Sequence, residues 1–288
     1  MCITCGCGTD SAHIVKSDHH QNHNHHDQNH DHTHTNHGDH DHHHHNHNHS
    51  HGVAHGHHHD NVQAQDVNGR LIHLERDVLH ENALLAARNS GYLDAKKIFA
   101  INLVSSPGSG KTMLLERTLT DLKEELSFNV IEGDQQTTVD ADRIKATGTN
   151  AVQINTGKGC HLDAHMVLHA IQEIEPKENT VLFIENVGNL VCPSMFDLGE
   201  SERVVIISVT EGDDKPLKYP DMFHTSGVCI INKTDLLPYV PFDCNKLIEN
   251  AKKINPNLTF FRTSCTSGEG LNDWYDWLKN QAAKLRKS

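Results

Sequence analysis

The run Ser105-Ser106-Pro107-Gly108-Ser109-Gly110-Lys111-Thr112 has the residue types, in the order, that a phosphate cradle needs. Glycines let backbone N–H groups wrap an anion, Lys111 neutralises charge on the terminal phosphates, and the Thr112 hydroxyl is a ligand for Mg²⁺. A helix starting here adds its positive N-terminal end. Gly108, Ser109, Gly110, Lys111, Thr112 and Met113 are therefore the expected nucleotide-contacting run. Ser105 stands where the general pattern has its first glycine. The bland alternative is a glycine-rich turn that happens to precede a helix.

A second tetrapeptide addresses the base. Asn232-Lys233-Thr234-Asp235 matches the Asn-Lys-x-Asp pattern. A carboxylate at Asp235 accepts two hydrogen bonds, from N1–H and the exocyclic amine of guanine, which adenine does not supply. A buried polar group left unpaired by the wrong base costs about 1–3 kcal/mol. Lys233 lays its aliphatic stem along the base, and Ser264-Cys265-Thr266 supplies a backbone loop for guanine O6. Alone, the tetrapeptide also describes a polar loop. Its place after a late apolar strand favours GTP and GDP.

Acidic residues complete this set. Glu185 ends an apolar run and stands where a carboxylate holds Mg²⁺ or its water. Gly188 is expected to give the following loop freedom to respond to a γ-phosphate. Asp134 and Asp140 are further candidates for the Mg²⁺ shell, each also readable as a turn residue or helix cap. Asp134 is the better of the two for positioning water, because it lies beside a strand end. Lys111, Asp134 and Glu185 are thus the candidate catalytic residues.

Three further clusters could hold softer metals. In Cys2, Cys5 and Cys7, three thiolates and the Cys2 amine, freed by loss of Met1, make an N,S₃ set suited to planar Ni(II). A redox pair or a zinc half-site remains the alternative. The second cluster is a tract holding 22 of the 28 histidines, from His13 to His59. Interrupted throughout by Asn, Asp and Gly, it reads as a native store of weak, exchangeable sites rather than a purification tag. The third is Cys160, His161 and His165 together with Cys192, a set for Ni²⁺ or Zn²⁺. Cys192 alone would more often be a small buried residue. Cys229 lies in an apolar run and is expected in the core, while Cys244 gives no signal.

These residues need a scaffold. Apolar runs at Ala100–Ser105, Phe128–Glu132, Val152–Asn155, Val181–Glu185, Val204–Val209, Val228–Asn232 and Leu258–Arg262 alternate with helical patterns at Thr112–Leu126, Leu162–Ile174 and Cys244–Ile254. That alternation predicts an α/β fold, a mostly parallel P-loop NTPase sheet with helices on both faces. Ligands then bind beyond the carboxyl ends of the strands, where every motif above falls. Leu71, Leu74, Val78, Leu79 and Leu85 predict one more helix, up to Gly91. No Phe, Trp or Tyr precedes Tyr92. Such a segment cannot bury enough apolar surface to offset its ordering entropy, so residues 1–68 are expected to be a largely disordered metal-binding region and 69–288 one GTPase domain.

Charge and composition exclude other classes. The net charge of −13 gives no basic footprint for nucleic acid. No apolar run approaches a membrane span, and no signal-peptide core is visible. The expected compartment is the cytoplasm, where thiols stay reduced.

Taken together, Cys2-x-x-Cys5-Gly-Cys7, Ser105–Thr112, Gly159-Cys160-His161, Glu185 to Pro193, Asp214 to Pro220 and Asn232–Asp235 resemble the HypB family of SIMIBI-class GTPases over nearly the whole chain. The resemblance implies a slow, regulatory GTPase that dimerises with GTP. It further implies nickel storage and delivery to [NiFe] hydrogenase large-subunit precursors, alongside a HypA-type nickel chaperone. Cys160, His161 and Cys192 match the family's metal site at the dimer interface; His165 fits by position, though not every relative has histidine there. Leu236 and Val240 match a dimer patch but serve equally well as core. Two alternatives stay open: a urease-type accessory GTPase, and a nickel-storage protein with a regulatory nucleotide site. The cysteine cluster and the separation of Cys160–His161 from Cys192 favour HypB over the urease type.

Overall fold

A computed structural model of the chain describes residues 13–15, 64–135 and 139–287. Cys2, Cys5, Cys7 and histidines His19–His59 lie outside the described residues, as does most of the segment expected to lack order. The chain divides into two units, residues 17–71 and residues 1–16 with 72–288. In the first, the described part is the helical start of α1. The second contains the sheet and both candidate sites.

Its elements follow in chain order: β1 (His13–Val15), α1 (Ala64–Ala95), β2 (Phe99–Ser105), α2 (Lys111–Leu122), β3 (Phe128–Asp134), α3 (Val139–Ala146), β4 (Asn150–Asn155) and α4 (Ala164–Ile174). After them come β5 (Val181–Glu185), β6 (Glu202–Ser208), α5 (Lys215–Lys218), α6 (Pro220–His224), β7 (Val228–Asn232), α7 (Cys244–Ile254), β8 (Thr259–Arg262) and α8 (Leu271–Lys287). Short 3₁₀ turns occupy Cys192–Met195 and Thr234–Tyr239. The strand order is β1-β4-β3-β5-β2-β6-β7-β8. All neighbours from β4 to β8 are parallel, and β1 adds antiparallel to β4 at the edge. The expected mostly parallel sheet is therefore present. Among the described residues no helix is long and apolar enough to cross a membrane.

Strand β1 and the first residues of α1 are the described parts of residues 1–68. The helix expected up to Gly91 is α1, and its docking face is partly polar. Val78, Leu79 and Leu84 are exposed, whereas Asn82, Ala86, Asn89 and Leu93 are buried. That spacing of four, three and four residues is one helical stripe, and half of it is polar.

Burial explains the sheet. Every residue of β2, β5 and β7 is buried, as continuous apolar strands covered on both faces require. One core layer joins Leu114, Leu115 and Leu119 of α2 to Trp274 and Leu278 of α8 across Ile101, Phe183 and Ile206. A second packs Val167, Ala170 and Ile171 of α4, with Leu93 of α1, on Ile131, Leu182 and Ile184. A third packs α6 and α7 on β6 and β7 and contains Cys229 and Cys244, with Leu236 and Val240 partly buried against it. In this chain those last two residues are core-facing.

The asparagines of α1 serve as clamps. Asn82 Oδ1 accepts from the Ala164 amide at 2.8 Å, and its Nδ2 donates to Asp197 O at 2.8 Å. Asn89 Nδ2 donates to Ala164 O at 2.9 Å and to Leu198 O at 3.0 Å. Gly199 completes the joint in a left-handed conformation, φ +86°, and a Cβ there would lie 2.5 Å from Ala86 O. Replacing it by alanine combines a left-handed penalty of about 1–2 kcal/mol with that clash. Gly199→Ala is therefore expected to lower the urea midpoint by more than the backbone penalty alone, with an unchanged slope; an unchanged midpoint would disprove the tight α1 joint.

Candidate nucleotide and metal sites

The phosphate loop connects β2 to α2 at the carboxyl edge of the sheet. Gly110 caps α2 at φ 92°, ψ 24°, a conformation glycine adopts without penalty. A side chain there would also strike Asn232, whose Nδ2 would sit 2.6 Å from the new Cβ. The loop faces a cavity of about 460 Å³ lined by residues 105–113, Glu132 to Gln135, Asp140, Arg143 and Glu185 to Gly188. Lys111, Thr112, Met113, Asp134, Asp140 and Glu185 thus all share one cavity.

Glu185 is its centre. Its carboxylate is 1% exposed and accepts from both Lys111 Nζ and Thr112 Oγ1 at 2.6 Å through the same oxygen. The other oxygen is buried with no hydrogen-bond partner among the described residues. A buried carboxylate oxygen of this kind, beside a threonine hydroxyl, fits a divalent cation. Asp140 accepts from Arg143 at 3.4 Å.

Sequence reasoning missed Glu132. Parallel pairing of β3 with β5 sets Glu132 directly opposite Glu185, so two buried carboxylates share the strand ends. Burial, with the charges of Glu185 and Asp134, pushes the Glu132 carboxyl up to about 8. An acidic residue in an otherwise apolar strand was the available signal. Gly188 lies against the phosphate loop. A Cβ on it would meet Pro107 atoms at 3.2 Å, so its smallness lets the loop after β5 lie against the phosphate loop. Lys215, noticed only as part of a longer motif, bonds Ser106 Oγ at 3.2 Å and pairs with Glu211 at 2.9 Å. That places a cation on the phosphate loop.

The base-recognition residues assemble beside the loop. Asn232 Nδ2 donates to Ser109 O at 3.0 Å, and Lys233 Nζ to Gly108 O at 2.6 Å. Ser264 Oγ donates to Asp235 Oδ1 at 2.6 Å, which joins the loop after β8 to the Asp235 carboxylate. The Cys265 thiol donates to Asn232 Oδ1 at 3.5 Å, and burial pushes its pKa up to about 11, so it stays protonated. Cys229, wholly buried in β7, is raised further by the same cause.

The candidate metal cluster is formed by the loop after β4 and the turn after β5. The ligand atoms of Cys160, His161 and Cys192 lie within 4.8 Å of one another. His161 stacks on Phe196 with ring centroids 4.0 Å apart. Burial lowers its pKa, only partly opposed by Asp163, so the imidazole is neutral and available as a ligand at pH 7. The structure does not bring His165 to this cluster. It is exposed on α4 and pairs with His169 instead.

One side chain joins the two sites. Asn186, fully buried and next to Glu185, accepts at Oδ1 from the Leu162 amide at 3.1 Å and the Val187 amide at 3.0 Å. Its Nδ2 donates to Asn102 Oδ1 at 3.3 Å. Leu162 directly follows His161, and its side chain fills the space beside Gly133 of β3. From the other side, Asn189 Nδ2 donates to Cys160 O at 3.3 Å.

The raised Glu132 carboxyl carries a sign. The folded protein keeps a proton that the unfolded chain releases near pH 4.5, so this contribution to stability fades as pH rises toward 8. In chelator-treated, nucleotide-free protein, Glu132→Gln is expected to flatten the decline of the unfolding midpoint across that window. Identical slopes in both proteins would refute the assignment.

Comparison with known proteins agrees with this geometry. Residues 99–262 match the family described as "CobW/HypB/UreG, nucleotide-binding domain". The hydrogenase maturation factor HypB of Rhizobium leguminosarum bv. viciae is 56% identical over 215 residues, which span 75% of this chain and 72% of that one. Among solved structures, the hydrogenase maturation factor HypB of Archaeoglobus fulgidus is 40% identical at a TM-score of 0.66, over 70% of this chain and 99% of that one. HypB of Helicobacter pylori, solved in complex with nickel, is 39% identical at a TM-score of 0.66, over 71% of this chain and 96% of that one.

Proposed function

Because the chain belongs to the CobW/HypB/UreG family, on the side of the HypB hydrogenase maturation factors, we propose that it is a slow, regulatory GTPase that holds nickel and releases it for assembly of [NiFe] hydrogenase. The observation that supports this best is Asn186, one buried side chain that ties the end of β5 to the loop carrying Cys160 and His161. A nucleotide site and a metal site joined this way can exchange free energy.

Lys111, Thr112 and the backbone N–H groups of residues 108–113 hold the phosphates, and Asp235 selects guanine. Glu185 and Thr112 would hold Mg²⁺, with Asp134 and Asp140 at its edge; bound there, the ion supplies charge neutralisation on the phosphates. Asp134 orients the attacking water. In the structure Glu185 holds Lys111, and Lys111 must leave it to reach a phosphate. Any adjustment of Glu185 moves Asn186 and so the Leu162 amide. Cys192 lies on the same segment as Glu185, whereas Cys160 and His161 lie on another connection. Relative movement of the two changes the ligand geometry around the cargo ion, Ni²⁺, or Zn²⁺ in its place.

On this reading the partners are a HypA-type nickel chaperone, the hydrogenase large-subunit precursor and a second copy of the chain when GTP is bound. The compartment is the cytoplasm, and the N-terminal cysteines and histidines serve as nickel store.

Two outcomes follow. Asp235→Asn should weaken GTP by about 1–3 kcal/mol and improve xanthosine triphosphate; equal turnover of ATP and GTP by the unaltered protein would end the guanine reading. Ni²⁺ affinity should differ between the GDP and GTP-analogue forms by roughly 5–150-fold. The nucleotide-dependent part of the thiolate-to-nickel absorption should vanish in Cys192→Ala while nucleotide still binds. Equal affinity in both forms would reduce the cluster to a structural site.

A further inference from the structure

The 3₁₀ turn Cys192–Met195 brings more than a sulfur to the metal cluster. Phe196, the residue after it, is extended at φ −111° and ψ 111°. Its ring lies on the His161 imidazole, with centroids 4.0 Å apart and planes inclined by 28°. The backbone carrying that ring is pinned from behind. Buried Arg203 donates through Nη2 to Phe196 O at 2.9 Å, through Nη1 to Ser194 O at 3.3 Å and through Nε to Glu200 Oε1 at 2.9 Å. Asn82 of α1 bonds the next carbonyl, Asp197 O. On the other segment, His161 Nδ1 stands 3.7 Å from Cys160 Sγ.

We propose that Phe196 is a positioning residue that sets the metal preference of the Cys160–His161–Cys192 cluster, favouring a tetrahedral ion such as Zn²⁺ over a planar one. An imidazole nitrogen binds through a lone pair in the plane of its ring, so whatever fixes the plane fixes where an ion sits. Turning the His161 ring about its Cβ–Cγ bond would drive its edge into the phenyl face, the control that neighbours of ligating imidazoles exert. The plane is therefore held, and with it the spacing of the Cys160 and His161 donors. Take bonds of about 2.3 Å to sulfur and about 2.0–2.1 Å to nitrogen. The two donors are then about 3.6 Å apart at the tetrahedral angle, about 3.1 Å side by side on a planar centre and about 4.3–4.4 Å across it. The observed 3.7 Å matches the first.

Zn²⁺ fits this spacing as it stands. Planar Ni²⁺ must take another donor in place of His161 or turn the ring out of its stack. Phe196 and Cys192 travel on one turn, four residues apart. A displacement that moves the sulfur therefore also opens the stack and frees the ring to follow a planar ion. Metal preference then changes together with the position of the turn, a role that rests on reading the cluster as a divalent-ion site.

The test combines Co²⁺, whose visible bands are strong in tetrahedral and weak in octahedral surroundings, with competition between Zn²⁺ and Ni²⁺ on the full chain at constant GDP. Only the part of each signal that Cys192→Ala abolishes is counted, which sets aside the N-terminal cysteines and the histidine tract. In the unaltered protein that part is expected to carry the tetrahedral bands. Phe196→Leu should weaken Zn²⁺ at the cluster by about 10-fold or more, weaken Ni²⁺ less, and so narrow the preference. Phe196→Tyr, which keeps the flat face, should restore it. An unchanged preference in Phe196→Leu overturns the proposal. So does an equal loss of both metals with a lowered unfolding midpoint, the outcome for a side chain that merely packs. If Cys192→Ala abolishes no signal, the cluster is not a metal site, and the role of Phe196 falls with that reading.

Discussion

Glu185 carries a charge in a place where charge is costly. Its carboxylate is buried at the end of β5, and among the described residues the Lys111 ammonium and the Thr112 hydroxyl, both on one oxygen, compensate it. Removing one member of a buried ion pair is far more damaging than never having built it, so the strand, the phosphate loop and α2 must stay in register. The β5 neighbours enforce this. Pairing with β2 aligns Leu103 with Glu185, and pairing with β3 aligns Glu132 with the same residue. The consequence is a second buried carboxylate, which the local field keeps protonated near neutral pH. This surplus of carboxyl groups suits the cation proposed for the cavity.

The same constraint reaches the metal cluster through neighbours in sequence rather than through long-range force. Asn186 follows Glu185 and has no freedom of its own, since its amide donates to Leu103 O and its side chain is bonded on three sides. Its bond to the Leu162 amide makes the position of the metal loop a function of the strand end. Helix α1 closes the arrangement from outside. Asn82 and Asn89 bond Ala164 at the start of α4 and the backbone of Asp197 and Leu198 after the Cys192 turn. The two ligand-bearing segments are thus held by one helix whose docking stripe is half asparagine. Buried amides demand specific partners, whereas leucines in their place would accept several rotations of the helix.

The candidate base-recognition residues are held by buried bonds of the same kind. Asn232 spends both ends of its amide on the protein, one on Ser109 O and the other on Thr263 and Cys265. Lys233, at φ 64°, takes an uncommon left-handed conformation that brings its ammonium to Gly108 O. The candidate base-recognition residues and the phosphate loop are therefore one connected framework, in which Asp235, bonded by Ser264, is the member proposed to meet guanine.

Contiguity decided what was legible in the sequence. The phosphate loop, Asn232–Asp235 and the seven parallel strands are short local patterns whose chemistry or apolar run is written in adjacent residues. Cys160, His161 and Cys192 were legible as separate fragments with metal-ligating types. Tertiary structure alone decided which fragments meet. Glu132 became a site residue only because parallel pairing set it opposite Glu185, and a sequence does not state its register. His165 was drawn toward the cluster by nearness along the chain, but the phase of α4, set by its buried Ala164, Val167, Ala170 and Ile171, turns it to solvent beside His169. The docking face of α1 was not legible in the sequence either: amphipathic spacing marks a face for burial only when the partner surface is apolar. Here the partner surface also offers backbone amides and carbonyls at Ala164, Asp197 and Leu198, and hydrogen bonds to Asn82 and Asn89 fix the face together with burial of Ala86 and Leu93.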